Sequence, residues 1–249
     1  MSKIVAHRGF SGLWPENSML AFEKAALTGC WGIELDVQLS KDGVPVIFHD
    51  ETLERCSTGS GFLKDHTLAQ LKALELRPLP PQGAPQRIPT LWEYLEWVKS
   101  TPLMTNIELK TGMFEYPGIE EKVAAMVEEL GLEERVWYSS FNHYTVLRLK
   151  ERARKSLFGL LLGDWLVGGG AYAAGLGVDS VNAPTEYLSR EIVEELHGRN
   201  ILAAAYTPNS TEELTRLMEN GVDVLITNWP DKALALAAAR NAGGAKTSF

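Results

Sequence analysis

Seven residues in the first half of the chain have types suited to moving protons and to holding an anion beside a cation: His7, Arg8, Glu34, Asp36, His49, Glu108 and Lys110. Side chains two apart on a strand point the same way. In Gly32-Ile-Glu-Leu-Asp-Val37 that rule sets Glu34 and Asp36 on one face and Ile33, Leu35 and Val37 on the other. In Asn106-Ile-Glu-Leu-Lys110 it gives Glu108 and Lys110 a shared face. Three buried carboxylates repel one another and take up protons unless something compensates them. A divalent cation would do so, and all-oxygen ligation suits a hard ion, Mg2+ or Ca2+, better than zinc. An ion-pair network with Arg8 and Lys110 is the bland alternative, but it leaves His7 and His49 idle. A lone histidine at a strand end is more often structural than catalytic. Two at one mouth, beside carboxylates and cations, fit phosphodiester cleavage, where one group takes a proton and another gives one. A cation held by Glu34, Asp36 and Glu108 would draw charge from phosphoryl oxygens, while Arg8 and Lys110 would hold the anionic phosphate. His66, His143 and His197 fall in loop or helical contexts and read as surface or structural residues. The chain has no Gly-rich dinucleotide fingerprint after its first strand, no GxSxG elbow and no Walker sequence. Arg8 and Gly9 follow His7, so the His-x-His of a dinuclear amidohydrolase is absent too.

Positioning these side chains needs a scaffold that gathers several strand ends. Short apolar runs alternate with longer amphipathic ones along the chain. The expected strands are Ile4–His7, Gly32–Val37, Thr105–Leu109, Arg135–Ser139, Ser156–Leu161, Asp179–Val181, Ile201–Tyr206 and Asp223–Thr227. Helices are expected over Asn17–Thr28, Ile119–Leu130, His143–Ala153, Ser189–Gly198, Thr211–Asn220 and Pro230–Arg240. A further helix is expected between Leu161 and Asp179, weakened by the glycines 168–170, which are poor helix formers. Eight strands with intervening helices match an α/β fold, a (β/α)8 TIM barrel, rather than an open doubly wound sheet. The chemically loaded residues fall at the ends of different strands, which a barrel collects into one mouth. Asp42-Gly43 is a turn signal between two extended runs. A two-residue loop there sets Lys41 opposite Val44 and returns His49 to the level of Asp36. Residues 51–87 are long and irregular, rich in Gly and Pro, and read as a small insertion within a single domain spanning 1–249.

Bulk properties agree with a compact enzyme. The chain has 249 residues, is 45% hydrophobic and carries a net charge of −8, so no basic face is available for nucleic acid. The basic run Arg148–Lys155 reads as a solvated helix face. The N-terminus lacks the apolar core and cleavage site of a signal peptide, and no run is long enough to span a bilayer. Two cysteines, Cys30 and Cys56, in contexts that call for no disulfide, fit a cytoplasmic location. No stable membrane insertion is expected, and the sequence is compatible with a homodimer.

The motifs His7-Arg-Gly, Pro15-Glu-Asn-Ser, Glu34-Leu-Asp, Lys41-Asp-Gly followed by His49-Asp, Glu54-Arg, Ile88-Pro-Thr-Leu, Ile107-Glu-Leu-Lys and Ser139-Ser-Phe stand in one order and spacing. Together they resemble the glycerophosphodiester phosphodiesterase family, in its bacterial cytoplasmic type, over nearly the whole chain. The resemblance implies a TIM barrel with an insertion after the His49 strand and one divalent cation at Glu34, Asp36 and Glu108. It implies phosphate contacts from Arg8 and Lys110, with His7 as base and His49 as acid. The implied reaction is hydrolysis of a small-molecule glycerophosphodiester to glycerol 3-phosphate and an alcohol, by direct water attack or through a cyclic phosphate. The chain departs from the family pattern at Tyr206-Thr-Pro-Asn209, and at Asn228 where relatives carry an acidic residue. Those changes bear on the alcohol side, where Phe10, Phe141, Tyr206 and Trp229 are wall candidates. Motif context singles out Phe141 and Trp229 as substrate-binding, against barrel-rim packing as the alternative. The rivals are a lysophospholipase D or phospholipase C-like lyase on the same barrel, and a non-catalytic ligand-binding barrel.

Overall fold

The computed structural model describes residues 1–77 and 84–244. Eight parallel strands form the barrel: β1 (Lys3–His7), β2 (Gly32–Leu39), β4 (Met104–Leu109), β5 (Val136–Ser140), β6 (Leu157–Leu161), β7 (Ser180–Pro184), β8 (Leu202–Tyr206) and β9 (Val224–Thr227). Pairing of β1 with both β9 and β2 closes the ring. Strand β3 (Pro45–Ile47) lies outside it, antiparallel to the upper part of β2. Helices α1 (Met19–Ala26), α4 (Ile119–Glu129), α5 (His143–Arg152), α6 (Gly169–Leu176), α7 (Arg190–His197), α8 (Thr211–Asn220) and α9 (Pro230–Gly244) follow barrel strands in turn. Between β3 and β4 lie α2 (Leu68–Ala73) and α3 (Leu91–Val98).

The alternation on β2 works as its sequence dictates. Ile33, Leu35 and Val37 are fully buried in the main core between sheet and helices, and Glu34 and Asp36 turn inward. Below the mouth, Val5, Trp137, Ala204, Val224 and Ile226 form a separate cluster. The barrel is therefore a packed plug with a polar top.

Several elements differ from the sequence expectation. Helix α1 starts at Met19 rather than Asn17, because Ser18 caps it and Asn17 sits outside with φ 56°. Helix α3 was not expected; Thr90 and Glu93 form a capping box that starts it, and Leu91, Tyr94, Leu95 and Val98 bury its apolar stripe. Helix α6 forms between Leu161 and Asp179 as expected, starting among the glycines. A Cβ on Gly169 would stand 2.8 Å from the hydroxyl of the buried Tyr187, which favours glycine there.

The β2–β3 hairpin is shifted by one residue from the expected register. Its loop is Lys41-Asp42-Gly43, with Gly43 at φ 76°, and Ser40 rather than Lys41 stands opposite Val44. Phe48, not His49, donates to the Asp36 carbonyl, at 3.0 Å. The expected insertion, 51–87, has structure of its own over its described residues, while Pro78, Pro80 and Pro81 lie outside them. Leu53, Cys56, Leu63, Leu71 and Leu76 pack with Val46, Phe48 and Ile88 into a small second core. Cys30 and Cys56 are buried free thiols. Among the described residues no helix is long and apolar enough to cross a membrane.

Candidate active site

Strand register stacks the polar side chains in two rows. His7 pairs with Glu34 and Glu34 with Asn106; one pleat higher, Asp36 pairs with Glu108 and Glu108 with Ser139. Beyond His7 the chain leaves the barrel through Arg8 (φ 55°) and Gly9 (φ 78°). A positive φ at arginine persists only where the surroundings hold it. Here the Arg8 amide donates to Glu34 Oε2 at 2.9 Å, and its carbonyl accepts from the Asn17 amide at 3.0 Å. A Cβ on Gly9 would meet the Ala21 backbone at 2.7 Å, so this turn packs on α1 only with glycine. The guanidinium of Arg8 donates to Glu16 Oε1 at 2.8 Å and brings its Nε to 3.4 Å from Asp36 Oδ2.

The two histidines have unlike partners. His7 Nδ1–H donates to Asn228 Oδ1 at 2.7 Å, which fixes the tautomer and leaves Nε2 toward the cavity. Asn228 is itself held, its amide N–H donating to Asn209 Oδ1 at 3.0 Å. Burial, with Arg8 beside it, brings the His7 pKa down to about 3, against the pull of Asn228. His7 is thus neutral at ordinary pH. His49 Nδ1–H donates instead to a carboxylate, Asp50 Oδ1, at 2.6 Å. The backbone that carries His49 is clamped by Gln38, whose Nε2 donates to the carbonyls of Phe48, His49 and Asp50 at 2.9, 3.2 and 2.8 Å.

Glu34, Asp36 and Glu108 are buried, and each offers an oxygen within 4.8 Å of the others'. Burial, then Asp36, raises the Glu34 carboxyl well above its usual range and takes Glu108 up to about 7. Burial opposes charge on Asp36 as well, but Arg8, His49 and Lys110 outweigh it and hold its carboxyl low. Asn17 Nδ2 donates to Asp36 Oδ2 at 2.8 Å. Asp36 Oδ1 and Glu108 Oε1 have no well-aligned hydrogen-bond donor; Lys110 Nζ faces them as an ion pair at 3.9 and 3.0 Å. Three carboxylates, two with orphaned oxygens, fit a hard divalent cation.

A cavity of about 240 Å3 opens above this set. His7, Arg8, Glu34, His49 and Glu108 line it, with Asn106 and Ser139 as polar neighbours and Phe141, Leu161, Tyr206 and Ile226 as an apolar wall. Lys110 lines an adjoining cavity of about 450 Å3 that shares Glu108 and Phe141 with the first. Trp229 lines neither; it packs on Gly12 and stands edge-on to Phe10 at 6.3 Å, with Lys232 Nζ 3.4 Å above its ring. Glu16, Asn17, Asp50 and Arg55 stand in the sequence motifs without a role attached, Asn228 as a departure from the pattern, and Gln38 is the residue that sequence reasoning passed over. Gln38 had a local signal, being the next inward position on β2 after Glu34 and Asp36.

Comparison with known proteins bears on the same arrangement. A model of the glycerophosphoryl diester phosphodiesterase family matches residues 7–232. The chain is 39% identical over 234 residues to a glycerophosphodiester phosphodiesterase of Caldanaerobacter subterraneus, covering 94% of this chain and 96% of that protein. It is 36% identical over 255 residues to one of Bacillus altitudinis, covering 95% and 98%. Among solved structures it resembles an Oleispira antarctica phosphodiesterase in complex with the product sn-glycerol-3-phosphate, with TM-score 0.82, 26% identity and 96% and 97% coverage.

Proposed function

The chain belongs to the glycerophosphoryl diester phosphodiesterase family, and from that premise we propose that it hydrolyses glycerophosphodiesters to glycerol 3-phosphate and an alcohol, with His7 as base and His49 as acid. The observation that carries this reading is the unlike pairing of two histidines on one cavity. His7, neutral and tied to an amide oxygen, keeps a lone pair on Nε2 to take a proton from the attacking water, or from the glycerol hydroxyl that closes a cyclic phosphate which water then opens. His49 is backed by a carboxylate that can share a ring's positive charge, which suits it to give a proton to the departing alcohol oxygen. A bond forms from the attacking oxygen to phosphorus as the bond to the alcohol oxygen breaks. Arg8 and Lys110 hold the anionic phosphoryl oxygens. Glu34, Asp36 and Glu108 would hold one divalent cation, Mg2+ or Ca2+, which when bound draws charge from the phosphoryl group. Phe141 is assigned to the alcohol side, and Trp229 to supporting the 9–12 turn that carries Arg8 outward. The free thiols suit the reducing cytoplasm that we assign as its compartment.

One observation favours a second substrate. Met113, Phe141, Trp165, Leu166, Val167 and Tyr172 are exposed, and all lie in loops or first helical turns at the strand ends around the mouth. Such a rim suits the acyl chain of a lysophospholipid.

The test is release of glycerol 3-phosphate from glycerophosphocholine and from lysophosphatidylcholine, with the alcohol measured in parallel. Glycerophosphocholine is expected to be the better substrate; strong preference for the lysolipid would move the assignment to lysophospholipase D. His7→Ala and His49→Ala are each expected to lower turnover of glycerophosphocholine by roughly 10^2- to 10^4-fold with the melting temperature unchanged. Chelation is expected to abolish activity and Mg2+ or Ca2+ to restore it; full activity in a metal-free preparation would leave the carboxylates to ion pairing.

A further inference from the structure

We propose that Arg55 is a positioning residue for this reaction: from the insertion, outside the barrel, and anchored on Glu16, it fixes Asp50 behind His49. The proposal rests on the reading of His49 as the acid. Arg55 spends its guanidinium on two carboxylates at once. Nε and Nη2 donate to Asp50 Oδ2 and Oδ1 at 2.6 and 2.7 Å, and Nη1 and Nη2 donate to Glu16 Oε2 and Oε1 at 2.8 and 2.9 Å. Each carboxylate then meets one residue of the site. Asp50 Oδ1 accepts from His49 Nδ1 at 2.6 Å, and Glu16 Oε1 accepts from Arg8 Nη1 at 2.8 Å.

The resulting row, His49–Asp50–Arg55–Glu16–Arg8, joins three stretches of chain side chain to side chain. Arg55 Nη2 also stands 3.5 Å from His49 Nδ1, so guanidinium, carboxylate and imidazole meet at one point. Without the double fork Asp50 is free to rotate off the ring, and the imidazole loses the contact that turns its other nitrogen toward the cavity. Arg55 adds nothing to the small core of the insertion, which is built from Leu53, Cys56, Leu63, Leu71 and Leu76. A lysine would supply the charge but not the two-sided planar geometry.

The test uses two diesters that differ in how much their alcohol needs a proton to leave. Glycerophosphocholine releases an alkoxide and requires one; glycerophospho-p-nitrophenol releases a stable phenolate and does not. Arg55→Met is expected to lower kcat roughly 100-fold on glycerophosphocholine and less than about 3-fold on the nitrophenyl diester, as His49→Ala does more severely. Arg55→Lys, which preserves charge and bulk, is expected to show the same split at roughly 10-fold, and decides the matter if Arg55→Met does not fold. A general disturbance of the fold would lower both substrates alike. Equal losses on both diesters for the Arg55 variants, or wild-type rates on both, while His49→Ala still splits them, would overturn the role of Arg55. Equal losses for His49→Ala itself would instead overturn the reading of His49 as the acid.

Discussion

Glu108 holds the least settled charge in the site. Burial first, then Asp36 across the strand pair, takes its carboxyl from 4.5 up to about 7. A carboxyl raised on folding contributes stability below its unfolded pKa and loses that contribution as pH rises through the folded value. Without a divalent cation, the melting temperature is therefore expected to fall between about pH 4.5 and pH 7, the span between those two values, and Glu108→Gln is expected to flatten that fall. Cation binding displaces the same proton, so affinity measured by calorimetry in two buffers is expected to climb toward pH 7 with proton release. A pH-independent affinity with no proton release would count against Glu108 as a ligand. The positions of Glu34, Asp36, Glu108 and Lys110 were legible because a two-residue period is local. Asn228 was legible only as a departure from a pattern; its bond to His7 crosses 221 positions, and no local period encodes that.

At the scale of elements, the insertion hangs on the barrel by charge as well as by packing. Burial opposes charge on Glu16 and Asp50, but Arg55 outweighs it with its partners Arg8 and His49, and both carboxyls fall to about 2. A lowered carboxyl contributes stability above its unfolded pKa and loses it as pH falls through the folded value. The tie through Arg55 is therefore complete above about pH 4.5 and is lost toward pH 2. Amide exchange over residues 51–77 is expected to speed up between pH 5 and pH 3, after correction for intrinsic rates, and to depend less on pH in Arg55→Met. Identical pH dependence in the two proteins would dissociate the tie from the insertion's order. The hairpin was legible from Asp42-Gly43, and its register was not, because loops of two and three residues share that signal. Helix α3 lies outside the expected helices although Thr90 and Glu93 mark its start, since eight residues offer barely two turns of helical period.

For the whole molecule, eight short strands support a site only as a closed ring. Strand β9 completes it, pairing with β8 on one side and with Lys3–Ala6 of β1 on the other. A chain stopped at Asp223 leaves β1 with a bare edge and His7 without Asn228. Such a chain is expected to lose cooperative melting and all turnover, and adding residues 224–244 as a separate peptide is expected to recover part of both. Turnover by the shortened chain alone would argue against ring closure as a condition for the site. The closed barrel was legible from the count of strands and from where the reactive residues fall along them; the register of the closing pair was not, because pairing of the first strand with the last has no local signature. That pairing also sets a clock. A ribosome makes His7 and Arg8 well before Asn228, and His7 has no fixed tautomer until Asn228 emerges and the ring shuts, so a nascent chain carries its reactive groups across the 221 positions between without being an enzyme.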